Sequence, residues 1–187
     1  ARAEAPPSAV GRLAAAAAVS VVCWGSLRLA RADHWFLKAR VYRDVGRTDL
    51  APVAFDASLR LNPYETRYRM TTVGFLLDLA GRSGRPEDRA SLLAAAGRVS
   101  EDGLARRPGH VDTWQSRGVA LARLATAGDA SAWGPAAAAL DRGLELDPWF
   151  PPLLASRGAV AREMGDAPTL ERIAARQSRL AELSGGR

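Results

Sequence analysis

The sequence predicts an all-α protein: a helical-repeat solenoid of about four helix pairs, preceded by one N-terminal hydrophobic helix. Three observations predict it. The chain is rich in Ala, Leu and Arg and poor in β-branched and aromatic residues, which favours helix along its length. Apolar residues recur at helical spacing in successive segments. Pro63, Pro108 and Pro148 each follow a leucine-containing segment, LRLNP, LARRP and LELDP, and proline restricts the residue before it and cannot donate to a helix ladder. The 187 residues are enough for one sizeable domain.

The stretch from Ala32 to Glu65 organises the rest. Trp35, Leu37, Val41 and Tyr42 form one apolar set at helical spacing, and Leu50, Val53, Ala54, Ala57, Leu59 and Leu61 form a second, with Gly46 between them. A helix pair this short cannot bury its own apolar face and needs neighbours. The stretch resembles a tetratricopeptide (TPR) repeat. Trp35 stands at repeat position 4, Ala39 at 8, Tyr42 at 11, Gly46 at 15, Ala51 at 20, Ser58 and Leu59 at 27 and 28, and Pro63 at 32. Two positions depart from the pattern: Lys38 replaces the usual leucine at 7, and Ser58 the usual small apolar residue at 27. Met70, Gly74, Leu104 and Pro108 mark a longer second copy, expanded near GRSGRPED. Trp114, Gly118, Gly128, Leu144 and Pro148 mark a third, and Leu154, Gly158 and Gly165 a fourth. The copies cover 32–65, 66–110, 111–150 and 151–184, and together make a repeat domain over 32–184.

Along the chain, residues 1–8 (ARAEAPPS) read as a flexible lead-in. Residues 9–31 read as a hydrophobic helix. Leu13 to Leu27 carry no charge, but that run gives only about 22 Å of helix against a hydrocarbon core of about 30 Å. Extension from Val10 to Ala30 spans it if Arg12 and Arg28 snorkel. Leu13, Val19, Val21, Val22, Trp24 and Leu27 are the expected membrane-anchor residues, with Trp24 near one interface. A buried Ala-rich helix and a signal peptide, with Ala30-Arg31-Ala32 as its cleavage site, are the alternatives. No proline lies between Ser8 and Gly46, so the span is expected to run into the first repeat almost unbroken.

The second repeat is expected to place its first helix at Thr66–Ala80 and, after the Gly81, Gly84 and Pro86 break, to begin its second with Glu87 and Asp88 and end it at Arg106 and Arg107. Both ends suit the helix dipole. Asp129 and Ser131 are cap candidates for the helix that carries Trp133 and Leu140. Pro151 and Pro152 belong at a helix start. The last helix, from about Pro168 to Leu183, is polar on much of its surface, as a terminal capping helix must be.

Charge narrows the function classes. The net charge is +6, from 26 basic and 20 acidic residues. Residues 1–40 hold six of the basic and two of the acidic groups, so the remainder is nearly balanced. No basic stripe for nucleic acid is expected on the repeats. Cys23 is alone, so no internal disulfide is possible, and its apolar setting does not favour a reactive thiolate. His34 and His110 are far apart, which does not suit a metal site. GRSGRPED lacks the strand and the GK[ST] ending of a phosphate loop. Neither catalytic residues, nor a metal, nor a cofactor is expected.

The TPR resemblance implies a concave surface lined by the first helix of each pair, at repeat positions 2, 5, 9, 12 and 13. Its candidate partner-binding residues are Phe36, Arg40, Arg43, Asp44, Tyr68, Thr71, Phe75, Gln115, Arg123 and Arg162. Asp33, Asp78, Asp112, Val119, Ala155, Ala159 and Glu163 occupy further groove positions. Arginine and aromatic side chains are residue types that anchor interfaces. Position 9 holds Arg40, Phe75, Val119 and Ala159, not the asparagine of repeats that clamp a C-terminal carboxylate, so a tail clamp is not expected.

The order of basic lead-in, hydrophobic span, LNPYETRYR and extended second repeat also resembles the C-terminal end of bacterial O-antigen ligase or polymerase family membrane proteins. That resemblance implies a bacterial inner-membrane location, a repeat domain outside the cytoplasm and a glycan or lipid-linked glycan context. It carries no catalytic residue onto this chain. The expectation is a non-catalytic, membrane-anchored scaffold with protein partners. The alternatives are a free-standing TPR subunit of a membrane complex and a soluble regulatory TPR protein. The basic residues flanking the span, Arg28, Arg31, Lys38 and Arg40 on the repeat side, argue for a cytoplasmic repeat domain, against the ligase resemblance.

Overall fold

The computed structural model describes residues 9–185. Among the described residues there are eight α-helices, one 3-10 turn and no strand. They divide into two compact units, the first ending at Pro63 and the second beginning at Tyr64.

The first unit holds one helix pair. Helix α1 (Ala9–Asp44) runs 36 residues without a break, about 54 Å at 1.5 Å per residue. The hydrophobic segment and the first repeat helix are therefore one rod, with no interruption at residue 31. The only glycine in its interior after Gly11 is Gly25, and no proline falls within it. It stops at Gly46, whose φ of 76° is left-handed. The Arg47 amide donates to Tyr42 O at 2.8 Å and the Gly46 amide to Arg43 O at 3.1 Å, a Schellman closure that glycine makes at no steric cost.

Helix α2 (Ala51–Leu61) starts with Pro52 in its first turn, where a missing amide costs nothing. It packs on the second half of α1 through small residues. Ala32, Ala39, Ala51 and Ala54 are buried, and the Phe36 and Phe55 rings lie between them at 6.2 Å. Ser58, the departure at position 27, is fully buried, and its hydroxyl donates to Phe55 O at 2.7 Å. The helix thus satisfies its own buried hydroxyl. Trp35 is only half-buried, with the Lys38 ammonium 5.0 Å from its ring centroid.

The first half of α1 packs on little. Leu13, Val19, Val21, Val22, Trp24 and Leu27 are all more than half exposed, Leu13 at 72% and Trp24 at 64%. Among the described residues this is the one helix long and apolar enough to cross a membrane, with a mean hydropathy of 1.7 and none of its apolar window buried.

The second unit holds three helix pairs: α3 (Thr66–Arg82) with α4 (Pro86–Arg106), α5 (Val111–Thr126) with α6 (Trp133–Leu146), and α7 (Pro151–Met164) with α8 (Ala167–Gly185). Each helix packs on the next in sequence, and the first helices also touch one another, α3 on α5 and α5 on α7. That is the stacking a helical-repeat array needs. Glu65 caps α3 by accepting from the Arg67 amide at 3.1 Å. Glu87 and Asp88 occupy the first turn of α4 and Arg106 the last, favourable at both ends of the dipole. Asp129 does not cap α6 as expected; it accepts the Ser131 hydroxyl across the 3-10 turn Ala130–Ala132. Gly165, with φ 68°, closes α7 by the same Schellman pattern as Gly46.

One core cluster of this unit, on α6, α7 and α8, gathers Ala136, Leu140, Leu144, Leu153, Leu154, Val160 and Ile173, while Tyr68, Val73, Phe75, Leu76 and Leu93 are buried on α3 and α4. Glycines set how closely the helices approach. A Cβ on Gly118 would lie 2.4 Å from Leu140 Cγ, and one on Gly143 would lie 2.7 Å from Leu153 Cδ1. Arginines then bridge helix to helix. Arg69 of α3 pairs with Asp102 of α4 at 2.7 Å. Arg117 of α5 pairs with Glu101 of α4. Arg157 of α7 pairs with Asp141 of α6 at 2.8 Å.

Candidate interaction groove

A concavity of about 410 Å³ in the second unit opens between α5 and α7. Val119, Arg123 and Thr126 recur at i, i+4 and i+7 on one face of α5, and Ser156, Ala159 and Glu163 at i, i+3 and i+7 on one face of α7. Trp133, at the start of α6, and Leu140 and Val160 supply the apolar wall. Ala159 is too small to fill the space between the helices, and Gly118 brings Leu140 hard against α5. The result is an apolar trough with a cation on one wall and an anion on the other.

Arg123 also lines a smaller neighbouring hollow of about 230 Å³ with Leu77, Gly81 and Arg89. It stands between two depressions, and among the described residues neither its guanidinium nor the Glu163 carboxylate has an ion-pair partner. Such a surface suits a polypeptide segment that places an apolar side chain in the trough and hydrogen-bonds its polar groups to Arg123 and Glu163.

The expected groove residues divide. Arg123 lines the groove, as do Val119, Ala159 and Glu163. Gln115 is half-buried one turn before Val119 on the same face of α5, and Thr71 is half-buried on α3. Arg162 is exposed but is not among the residues lining the trough. Phe36, Tyr68 and Phe75, expected as apolar anchors on the surface, are instead buried, at 3%, 1% and 5% exposure. They pack between helices and present no face to a partner. In the first unit Arg40 is exposed, and Arg43 is paired with its neighbour Asp44 at 2.7 Å.

Sequence reasoning missed Trp133, Thr126 and Ser156. The signal for Trp133 was present, since a large aromatic at the head of a second helix, just after a glycine turn, is poorly placed for complete burial. Among the described residues no group of three or more His, Cys, Asp and Glu side chains is gathered. His110, at the head of α5, has Nδ1 3.6 Å from Asp112.

No protein-family model matches this sequence, and no curated protein matches it. Solved structures do. TTC0263, a thermophilic TPR protein in Thermus thermophilus, matches with a TM-score of 0.66 at 18% identity, over 83% of this chain and 75% of that one. MamA (41-end) from Desulfovibrio magneticus RS-1 matches with 0.57 at 16% identity, over 83% and 77%. The first TPR of Spaghetti (RPAP3), bound to the HSP90 peptide SRMEEVD, matches with 0.54 at 15% identity, over 73% and 94%. At these identities the likeness is one of fold: the chain has a TPR-like all-α repeat architecture.

Proposed function

We propose that this chain is a non-catalytic, membrane-anchored TPR-like scaffold that holds a protein segment in the α5–α7 groove. The observation that carries the reading is the trough itself, apolar at Trp133 and Val160 and walled by the unpaired charges of Arg123 and Glu163. A repeat fold of this kind holds a peptide in the RPAP3 structure, which is a precedent for the mode of binding and not for the ligand. The anchor in this reading is residues 9–31, whose apolar side chains are exposed along α1. Burying them in lipid would remove from water a surface that nothing else in the unit covers.

The finer reading places the chain at the C-terminal end of an O-antigen ligase-like protein of a bacterial inner membrane, with the repeats outside the cytoplasm and near a lipid-linked glycan. The LNPYETRYR segment and the extended second repeat after a single span support it.

Photocrosslinking tests the groove. Benzoylphenylalanine at Ala159 is expected to give a discrete protein adduct in native membranes, and Arg123→Glu to abolish it. Ala174 on α8 serves as the control site. Equal adducts at both sites, or an adduct indifferent to Arg123→Glu, would reject the groove. An impermeant thiol reagent on an exposed cysteine at Ser131, with Cys23 replaced, tests the orientation: labelling only after lysis rejects the exterior placement.

A further inference from the structure

In the second unit the first helix of a pair meets the second helix of the preceding pair at repeat positions 3 and 7, with position 10 buried on the same face. On α5 these are Thr113, Arg117 and Ala120. Thr113 Cγ2 would lie 2.9 Å from a Cβ on Gly103 of α4, and Arg117 pairs with Glu101 and donates to Gly97 O at 3.3 Å. On α7 they are Leu153, Arg157 and Val160. Leu153 lies over Gly143 of α6, and Arg157 pairs with Asp141. The second helices share one pattern: a small residue at Gly97 or Ala137, an acid four positions on at Glu101 or Asp141, then glycine two positions further and leucine after it. The basic residue at position 7 clasps that acid.

Helix α1 carries the same face with nothing on it. His34, Lys38 and Val41 stand at positions 3, 7 and 10, and all three are exposed, with Leu37 and Val45 beside them at 57% and 65%. Lys38, the departure from leucine at position 7, is basic like Arg117 and Arg157, and among the described residues no carboxylate pairs with it. Residues 9–33 belong to the same helix and so do not themselves cover this face.

We propose that this face of α1 docks an amphipathic helix of a partner protein, one that presents an acidic residue to Lys38 and, two positions later, glycine or another small residue against His34. This interface is separate from the α5–α7 groove and does not rest on it. A second copy is the competing occupant: its α8 carries Arg172, Arg176 and Arg179, like in sign to Lys38, but also Glu171 and Glu182, so self-association of the chain decides between the two.

The probe is this chain's own α6 segment, residues 133–148, stapled across the exposed Ala138 and Arg142 and labelled for fluorescence anisotropy against the full chain in detergent micelles. The peptide is expected to bind. Lys38→Glu in the chain, or Asp141→Lys in the peptide, is expected to weaken it about 10-fold or more. The two together are expected to restore affinity to within a few-fold, since a direct charge pair couples in a double-mutant cycle. Absence of binding, or binding indifferent to Lys38→Glu, overturns the proposal. Self-association of the chain that is lost on Lys38→Glu assigns the face to a second copy and overturns it. A bimane at Leu37→Cys, with Cys23→Ala, that reports a hydrocarbon environment in phosphatidylcholine vesicles without peptide assigns the face to lipid and also overturns it.

Discussion

Arg157 and Asp141 tie α7 to α6 by two contacts, Nε to Oδ1 at 2.8 Å and Nη2 to Oδ2 at 3.3 Å. The pair is lopsided. The arginine side chain is 6% exposed and the aspartate 52%. Arg157 Nη1 is buried without a hydrogen-bond partner, and a third contact, to Asp166, is long at 3.4 Å.

The lopsidedness predicts unequal mutants. Asp141→Ala leaves a buried guanidinium with one distant carboxylate, and is expected to cost about 2–4 kcal/mol. Arg157→Met replaces the buried charge with an apolar chain and frees a carboxylate that water already reaches, so about 1 kcal/mol or less is expected. Urea denaturation of both variants ranks them. The opposite order would show that the arginine stabilises the fold chiefly by its charge.

Gly118 and Gly158 share repeat position 8 but not its reason. At Gly118 a Cβ would sit 2.4 Å from Leu140 Cγ, whereas at Gly158 the nearest atom, Ile173 Cγ2, is 3.5 Å away. Gly118→Ala must force α5 and α6 apart and is expected to cost about 1–3 kcal/mol. Gly158→Ala meets an ordinary contact and is expected to gain up to about 1 kcal/mol of helix propensity. Thermal midpoints should move in opposite directions, and a shared sign would refute the packing described for one of them.

Acid should weaken the fold through its carboxylates. The Arg106 hydrogen bond, and then Arg69, hold Asp102 below the ordinary value of 3.8, and Asp166 is lowered chiefly by its hydrogen bonds with Thr169. Asp49, at the α1–α2 turn, is held at about 2 by Arg47. These groups bind protons more readily unfolded than folded, so their contribution is present above the unfolded value and is lost as pH falls through the folded ones. The thermal midpoint is expected to drop between about pH 5 and pH 2, and Asp102→Asn to shrink that drop. An unchanged drop in the variant would remove Asp102 from the account.

Cys23 reports on the anchor. It is exposed on α1 among apolar side chains. In vesicles it should react with a water-soluble maleimide about 10-fold or more slowly than a cysteine at the exposed Ser131, because a thiol in hydrocarbon neither ionises nor meets the reagent. Equal rates would place residues 9–31 in water.

How much was legible depended on how local the cause was. The terminators Gly46, Pro63, Pro108, Pro148 and Gly165 marked the helix pairs, because backbone φ and a missing amide act within one turn. The unbroken run of α1 was legible for the same reason. The groove was legible in part. Of the groove positions on α5 and α7, Val119, Arg123, Ala159 and Glu163 line the trough, whereas Asp112, Gln115, Ala155 and Arg162 do not. Phe36, Tyr68 and Phe75 are buried instead; a repeat position says which way a side chain points and not how near the next helix comes.

The sequence by itself determined that this is an all-α chain of paired helices, where each pair ends, and that its first 30 or so residues hold one long apolar helix. Composition, periodicity and turn chemistry suffice for that, since each acts on neighbours in the chain. Only the tertiary structure decided which first-helix residues are buried, that Trp133 closes the groove, and that Lys38 stands on an uncovered copy of the face that Arg117 and Arg157 fill elsewhere. Those outcomes turn on the distance between helices. In the first unit that distance is set by Ala32, Ala39, Ala51 and Ala54, and in the second by Gly118 against Leu140 and Gly143 against Leu153, contacts between different helices that no local pattern encodes.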